Sequence, residues 1–355
     1  MEKVFMKGCE AIAEAAVRAG CRFFSGYPIT PQNEIPEYMA HRLPEVGGVF
    51  LQGESEVASI NIAYGASCAG ARAMTSSSGP GLSLKSEGLS TLASNRVPLV
   101  ICNAMRGGPG TGSIQGAQSD YFQATKAGGH GGFRMMVYAP ATLQEAVDYT
   151  CKAFEMAERD RNPVLVLVDG YIAAIMETLE LPDMQPVDYN SRSWAALGDR
   201  SKNRAFIATG GGLDPEKTEE FNQSMEAMYE SWEENDTEVE CYRTEDAEIV
   251  IAAFGTAARI AKGAVNALRE EGYKVGLIRP ITLSPFPYQT LQKLDPKQVR
   301  KVLDVEMTIP AQMIYDVKLG VDGKIPVEKY CRSGGVLVKH EEIVDRVKAL
   351  FREEA

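Results

Sequence analysis

The sequence predicts an α/β fold in which parallel sheets are covered by helices. Short apolar runs alternate with helical patterns through residues 1–180, the chain then turns polar, and the same alternation resumes at Ala247. Such alternation is typical of parallel strands joined by crossover helices. We therefore expect two α/β units separated by a connection.

The first unit, residues 1–180, carries its signals in regular order. Apolar runs that end in turn residues predict buried strands, and these runs are CRFF, GVFLQ, ARAMTSS, PLVICNA, RMMVYAP and PVLVLVD. Helical patterns cover residues 7–19, 31–43, 56–73, 82–94 and 142–159. The third of these is rich in Ala, Ser and Gly, which suits close packing against another backbone.

Residues 181–245 are predicted to connect the units. The segment is polar, has prolines at 182, 186 and 215 and a Gly-Gly-Gly run at 210–212, and includes an acidic helical pattern at 216–235. The second α/β unit, residues 246–355, opens with the strand pattern EIVIAAFG. A helix with Gly272 as its expected C′ residue follows, and then the strand pattern KVGLIRP.

The composition argues against several classes of function. The chain has 355 residues, 45% of them hydrophobic, with 48 acidic against 37 basic residues and a net charge of −11. This negative excess argues against a nucleic acid or an anionic membrane as partner. No apolar run approaches the ~20 residues of a membrane span. The first residues lack a signal-peptide core, so we expect a cytoplasmic protein.

The cysteines give no sign of a cluster or metal site. There are seven, and the closest pair, Cys9 and Cys21, is 12 positions apart. Iron–sulfur and zinc sites generally place two cysteines within two to four residues of each other. We therefore predict no metal site in this chain.

The stretch SGYPITPQNEIPEYM, residues 25–39, combines a strand end with a helix start. Pro28 and Pro31 each bias the preceding residue away from the α region. Thr30 is thus predicted to cap a helix whose first residue is Pro31. A substrate carboxylate could also bind at such a helix N-terminus, beside the threonine hydroxyl.

The stretch LQGESEVASINIAYGAS, residues 51–67, places acids at the start of the next helix. Ser55 is a plausible N-cap, which puts Glu56 in the first turn. There the carboxylate would at least complement the helix dipole, a contribution of ~0.3–1 kcal/mol. A functional role is compatible with that position.

Two glycine clusters follow strands, at residues 76–81 and 106–112, and a third at residues 128–132 follows a polar segment. None matches the dinucleotide or Walker patterns. They are either tight loops or parts of a site, and the carboxyl ends of parallel strands are where ligands bind. Arg106, at a strand end, could bind a carboxylate bidentately or pair with Asp120. His130 is a possible acid–base group or a solvated loop residue.

Taken together, several of these segments resemble one family. FMKGCEAIAEAAVRAGCRFFSGYPITPQNEIPEYM, GESEVASINIAYGASCAGARAMTSSSGPG, NAMRGGPGTG and AQSDYFQATKAGGHG are similar to the α-type subunit of 2-oxoacid:ferredoxin oxidoreductases, most of all the 3-methyl-2-oxobutanoate (2-ketoisovalerate) type. The resemblance implies a thiamine diphosphate pyrimidine-binding domain followed by a transketolase-C-like domain. It also implies CoA-dependent oxidative decarboxylation of a 2-oxoacid, with ferredoxin as electron acceptor.

The resemblance also assigns roles to residues. It implies that Glu56 binds N1′ of the aminopyrimidine, and that Thr30 and Arg106 act on the substrate. Glu54 is a rival to Glu56, since alternate residues of a strand share a face. Further cofactor-binding residues implied by the family are Tyr27, Pro28, Ile29, Ser78 and Gly79.

The family divides its work among subunits. The diphosphate-Mg²⁺ motif needs Gly-Asp-Gly, and this chain has only Val168-Asp169-Gly170. We therefore expect Mg²⁺ and the diphosphate half of the site in a β-type subunit. The 4Fe–4S clusters are expected in a small δ-type subunit, and a γ-type subunit and ferredoxin are further expected partners.

Other possibilities stay open at this point. The substrate could be 2-oxoglutarate or another 2-oxoacid, since Thr111 and Ala127 depart from the branched-chain loop pattern. The chain could belong to a ferredoxin-independent two-subunit thiamine enzyme, such as a split transketolase or sulfopyruvate decarboxylase. It could also be a non-catalytic nucleotide-binding or assembly subunit.

Overall fold

The computed structural model describes residues 2–187, 192, 194–197, 210 and 212–353. In chain order, the elements up to Leu181 are β1 (Glu2–Lys7), α1 (Gly8–Arg18), β2 (Phe23–Gly26), α2 (Glu34–Glu45), β3 (Val49–Gln52), α3 (Glu56–Cys68), β4 (Ala73–Ser77), α4 (Gly79–Ser94), β5 (Leu99–Gly107), β6 (Ser113–Gly116), α5 (Tyr121–Thr125), β7 (Met136–Tyr138), α6 (Leu143–Asp160), β8 (Pro163–Asp169), α7 (Gly170–Ala174) and β9 (Met176–Leu181).

The remaining elements follow the predicted connection or lie within it. They are α8 (Pro215–Asn235), β10 (Val239–Tyr242), β11 (Ile249–Ala252), α9 (Gly255–Glu270), β12 (Val275–Pro280), β13 (Thr282–Ser284), α10 (Tyr288–Gln292), β14 (Lys301–Glu306), α11 (Ile314–Val321), β15 (Val327–Cys331) and α12 (His340–Arg352).

The central sheet has the strand order β13-β7-β8-β5-β4-β2-β3. Its strands from β7 to β3 are parallel to their neighbours. β13 comes from the second half of the chain and pairs with β7 in the antiparallel direction. β6 turns back antiparallel to β5 at its end. The carboxyl ends of β2, β3, β4, β5 and β8 therefore lie along one edge.

A second sheet has the order β10-β12-β11-β14-β15. It is parallel from β12 to β15, and β10 is antiparallel to β12. Both sheets agree with the predicted parallel-rich α/β fold. Gly272 has a φ of +88° just after α9, which confirms its prediction as the C′ residue.

The apolar core covers both faces of the central sheet. On one face, small residues of α1 let it pack closely against α2 and α6. On the other face, α3 and α4 pack on the sheet, and Ile101 and Leu165 share a cluster with Val250 and Val302 of the second sheet. β8 is buried along its whole length, as expected of a strand covered by helices on both sides.

Some elements differ from the prediction. α2 begins at Glu34 rather than Pro31, and α3 ends at Cys68 rather than near residue 73. The antiparallel pair of β1 with β9 was not predicted, because its partners are far apart in the sequence. An acidic helix, α8, lies within the predicted connection. Residues 188–191, 193, 198–209 and 211 of that connection are outside the described residues, and the division at 180 and 245 stays a prediction.

Candidate functional site

The residues singled out in the sequence meet at one edge of the central sheet. Tyr27, Pro28, Ile29 and Thr30 follow β2, Glu56 follows β3, Ser78 and Gly79 follow β4, and Arg106 ends β5. Because these strands are parallel and adjacent, their carboxyl ends converge. This is the edge at which open α/β sheets bind ligands.

Glu56 is the first residue of α3, and its side chain is buried. Ser55 caps the helix, its Oγ accepting a hydrogen bond from the Ala58 N–H at 3.2 Å, which confirms that predicted cap. Glu56 is 7% exposed, whereas Glu54 is on the surface. The Glu56 carboxyl lies against Gly81 of α4, where an added Cβ would come within 2.6 Å of Oε1. Glycine at position 81 thus makes room for the acid.

Thr30 does not cap a helix, so that prediction is wrong. α2 begins four residues later, after Asn33, and residues 29–32 form a separate turn closed by the Gln32 N–H and the Ile29 carbonyl, 3.1 Å apart. Gln32 is fully buried and accepts a hydrogen bond from the Ser76 hydroxyl of β4. Its amide donates to the Tyr27 carbonyl at 3.2 Å. These tertiary bonds hold the turn apart from the helix.

Arg106 is 8% exposed and joins two loops. Nη1 donates to the Thr30 carbonyl at 2.9 Å, and Nη2 donates to the Thr111 carbonyl at 2.8 Å. The alternative of a direct pairing with Asp120 is therefore not observed. The Nε donor is buried without a partner among the described residues. The guanidinium thus fixes the threonine loop and the glycine loop while keeping one donor free.

Asp120 is a site residue that sequence reasoning treated only as a possible partner of Arg106. Its Oδ2 accepts a hydrogen bond from the Asn103 amide at 3.0 Å, and its carboxylate lies where a Gly79 Cβ would come within 3.1 Å. Burial raises the pKa of Asp120 to about 6, although hydrogen bonds from Asn103 and Ser119 oppose the rise. Only the position of the acid in the predicted loop AQSDYF could have drawn attention to it.

Several buried polar atoms at this edge have no partner in the described part of the chain. Buried polar groups are normally hydrogen-bonded, so a cluster of exceptions indicates room for a ligand. The atoms concerned are Ser25 Oγ, Ser77 Oγ, Ser78 Oγ, Asn103 Oδ1 and Arg106 Nε. They lie on β2, β4 and β5 or directly after β4, at the edge of the sheet where Glu56 and Thr30 also lie.

Asp169, which resembles part of a metal motif, instead joins the end of β8 to the start of α9. Its Oδ1 accepts from the Ile172 N–H at 3.1 Å and from the Thr256 hydroxyl at 2.7 Å, and its Oδ2 accepts from the Thr256 N–H at 2.8 Å. Gly255 approaches so closely that a Cβ would lie 2.8 Å from Oδ2. Burial raises the pKa of Asp169 against these hydrogen bonds.

The other sequence features are less central. His130 is exposed, and its backbone N–H donates to Ser90 Oγ at 2.8 Å. Within the described ranges, no group of three or more His, Cys, Asp or Glu side chains could hold a metal ion. No helix in the described part of the chain is long and apolar enough to cross a membrane.

Parallel strands whose ends carry buried polar atoms without partners define an α/β protein with a ligand site at this edge. The family of pyruvate flavodoxin/ferredoxin oxidoreductases, thiamine diphosphate-binding, matches residues 14–241. Pyruvate:ferredoxin oxidoreductase core domain II matches residues 247–343. The chain belongs to this oxidoreductase family.

Known proteins agree with that assignment. A ketoisovalerate oxidoreductase subunit of Methanothermobacter marburgensis is 42% identical, covering 99% of both chains. The structure of 2-oxoglutarate:ferredoxin oxidoreductase from Magnetococcus marinus, with 2-oxoglutarate, coenzyme A and succinyl-CoA bound, has a TM-score of 0.86 and 28% identity. That match covers 98% of this chain and 65% of the other. The structure of a split-gene transketolase shares the fold, with a TM-score of 0.60 and 15% identity. That match covers 97% of each chain.

Proposed function

We propose that this chain supplies the aminopyrimidine half of the thiamine diphosphate site in a 2-oxoacid:ferredoxin oxidoreductase complex. The reaction converts a 2-oxoacid, CoA and oxidised ferredoxin into acyl-CoA, CO₂ and reduced ferredoxin. The observation that carries the proposal is the buried Glu56 carboxyl at the edge where orphaned polar atoms cluster. High identity to ketoisovalerate oxidoreductase subunits over the whole chain supports 3-methyl-2-oxobutanoate as the substrate.

The residues at the edge fit the proposed cofactor. A polar heterocycle could exchange hydrogen bonds with the hydroxyls of Ser77 and Ser78 and with the side-chain amide oxygen of Asn103, none of which has a partner among the described residues. Tyr27, 37% exposed, presents a ring at the same edge. Thiamine diphosphate, when bound, supplies the carbon nucleophile and electron sink that decarboxylation needs.

Glu56 is proposed to hydrogen-bond N1′ of the aminopyrimidine and to hold the proton there. The carboxyl is shielded from water by α4, so its hydrogen bond acts in a low-dielectric setting. Glu54 is a weaker candidate because its side chain is exposed. Tyr27, Pro28 and Ile29 are proposed to line the ring, together with Ser78 and Gly79 at the start of α4.

Thr30 and Arg106 are proposed to act on the 2-oxoacid. The Arg106 guanidinium holds the Thr30 carbonyl, so the arginine orients the threonine whose hydroxyl would meet the substrate. The remaining Nε donor is available to an acceptor in the site. A buried guanidinium favours a carboxylate, which every 2-oxoacid carries.

We expect Arg106→Lys to lower kcat/KM for the 2-oxoacid by about 10- to 100-fold, the equivalent of one lost charge-assisted hydrogen bond. Lysine keeps the charge, but its three donors are on a single nitrogen, so it cannot reproduce the planar fork that reaches both carbonyls and presents Nε to the site. Steady-state kinetics of the assembled complex would be compared with titration of thiamine diphosphate. If cofactor affinity falls as much as kcat/KM, Arg106 is a structural residue of the cofactor loop.

The choice of substrate needs its own test. The complex would be assayed with a panel of 2-oxoacids, CoA and a low-potential acceptor. The proposal expects the highest kcat/KM for a branched-chain acid. A preference for 2-oxoglutarate would select the alternative that the Magnetococcus relative exemplifies. Turnover without any low-potential acceptor would favour a ferredoxin-independent thiamine enzyme.

The partners are proposed to complete the site. A β-type subunit would bind the diphosphate and Mg²⁺, and a δ-type subunit would carry the iron–sulfur clusters. A γ-type subunit would complete the complex, and ferredoxin would accept the electrons. Two surfaces beside Glu56 suit contact with the β-type subunit. Val57 and Gly65 are exposed along α3, and Val49 and Leu51 are 53% and 46% exposed on β3, the last strand of its sheet.

We expect the isolated chain to bind neither Mg²⁺ nor thiamine diphosphate measurably, because the residues for the diphosphate would come from a partner. Isothermal titration calorimetry of the separated subunit, with the assembled complex as the positive control, measures this directly. Micromolar binding of the cofactor to this chain alone would contradict a divided site.

A further inference from the structure

Lys85 is a buried lysine beside the proposed catalytic acid. It lies on α4, one turn after Gly81, and its side chain is 0% exposed. Nζ donates to the Glu56 carbonyl at 3.3 Å and to the Thr75 hydroxyl at 3.1 Å. Lysines are almost never fully buried without a partner of opposite charge. The complete burial of Lys85 therefore indicates a specific role at this position.

The charged groups around Lys85 indicate which of them its amine serves. The Glu56 side chain lies against Gly81, on the same face of α4, and it is the charged group that favours the ammonium. The Asp120 carboxylate lies beside Gly79, the first residue of α4, and accepts a hydrogen bond from the Asn103 amide. Arg106 lies near the end of β5 and Asp169 at the end of β8, and both strands also pack against α4. Arg106 donates to the Thr30 carbonyl, and Asp169 accepts from the Thr256 N–H.

We propose that Lys85 is a positioning residue for Glu56. It fixes the first residue of α3 through the Glu56 carbonyl, and its ammonium offsets the negative charge of the buried carboxylate. The Thr75 hydroxyl of β4 also accepts a hydrogen bond from the amine, so the lysine joins α3, α4 and β4. The inference rests on the proposed role of Glu56 and adds a second residue to it.

The charge on Lys85 is poised to change near neutrality. Burial lowers the pKa of Lys85 from 10.5 to about 7, and the Glu56 carboxylate opposes the change. Between those values the unfolded chain binds a proton that the folded chain does not. The contribution of Lys85 to stability therefore rises with pH across that window. Below about pH 7 the buried amine is charged in the folded chain, and its desolvation then lowers the stability by the full amount.

The test compares Lys85→Met, Lys85→Gln and Glu87→Gln in the assembled complex. Glutamine keeps a donor without the charge, and Glu87 is an exposed residue of the same helix. Thermal unfolding of each is followed from pH 7 to pH 9. The wild type and Glu87→Gln should gain several degrees of melting temperature relative to Lys85→Met over this range. The Lys85→Gln slope should match that of Lys85→Met, since neither side chain titrates.

Kinetics then separate positioning from packing. We expect Lys85→Met to lower kcat by ~10- to 100-fold, as for other residues that orient a catalytic group, with KM for the 2-oxoacid unchanged. The pH profile of kcat should also change its shape, and Lys85→Gln should recover part of the rate through its donor. A kcat within twofold of wild type, with the same pH profile, would overturn the proposal.

The two proposals can fail separately. If Glu56→Gln is inactive but Lys85→Met is fully active, the role of Glu56 stands and that of Lys85 falls. If Glu56→Gln is active, the proposed function of Glu56 falls, and positioning by Lys85 falls with it. If Lys85→Met does not assemble, Lys85→Gln takes its place. A kcat of Lys85→Gln within twofold of wild type, with the same pH profile and the same pH dependence of melting, would then overturn the proposal.

Discussion

Glu56→Gln is expected to lower turnover of the assembled complex by roughly 10²–10⁴, the range of a lost acid–base function. The amide has nearly the shape of the carboxyl, so it still packs against Gly81 and leaves α3 capped by Ser55. It cannot, however, hold or release the proton that activates the ring. The loss would appear in kcat, measured at saturating 2-oxoacid, CoA and cofactor.

Glu54→Gln is the matched control, because Glu54 lies two residues earlier with its side chain exposed. We expect its turnover to stay within twofold of wild type. Gel filtration of both variants checks that the complex is intact. Loss of activity in Glu54→Gln but not in Glu56→Gln would transfer the catalytic role to Glu54.

Asp169→Ala is expected to destabilise the chain by about 3–4 kcal/mol, because buried donors left without acceptors each cost about 1–3 kcal/mol. The substitution leaves the Ile172 N–H and both donors of Thr256 unpaired. These groups lie where the end of β8 meets the start of α9, so the hydrogen bonds that join these two elements are lost as well. Chemical denaturation followed by tryptophan fluorescence measures the change.

Asp345→Ala is the matched control for this prediction. Asp345 is exposed on α12, and removing an exposed acid should change stability by less than about 0.5 kcal/mol. An Asp169→Ala variant as stable as this control would show that the carboxylate does not hold the sheets together.

The strands and most helices could be predicted because their signals are local. PVLVLVD and PLVICNA are buried strands in the structure as in the sequence, and Ser55 caps α3. The convergence of Glu56 and Arg106 followed from the rule that parallel strands share their carboxyl edge. Sequence pattern thus predicted that these residues meet at one edge of the sheet, whereas their roles there were implied by the family resemblance.

Contacts between distant residues could not be predicted. The start of α2 was misplaced because Gln32 bonds to Ser76, 44 positions away, and keeps its turn out of the helix. The possible pair of Arg106 with Asp120 is not formed, because Nη1 and Nη2 donate to backbone carbonyls, whose positions no side-chain pattern reveals. No sequence pattern marks Lys85, because only the fold brings its amine to the Glu56 carbonyl.

Strand β13 gives the chain a property beyond catalysis. It is short, it comes from the second half of the sequence, and it covers the outer edge of β7 in the central sheet. Without it, β7 would present a row of unsatisfied N–H and C=O groups, which is a template for pairing with other chains. The second half of the chain thus covers this edge against pairing with other chains. In a newly synthesised first half, the edge of β7 stays open to such pairing until residues 282–284 have been made.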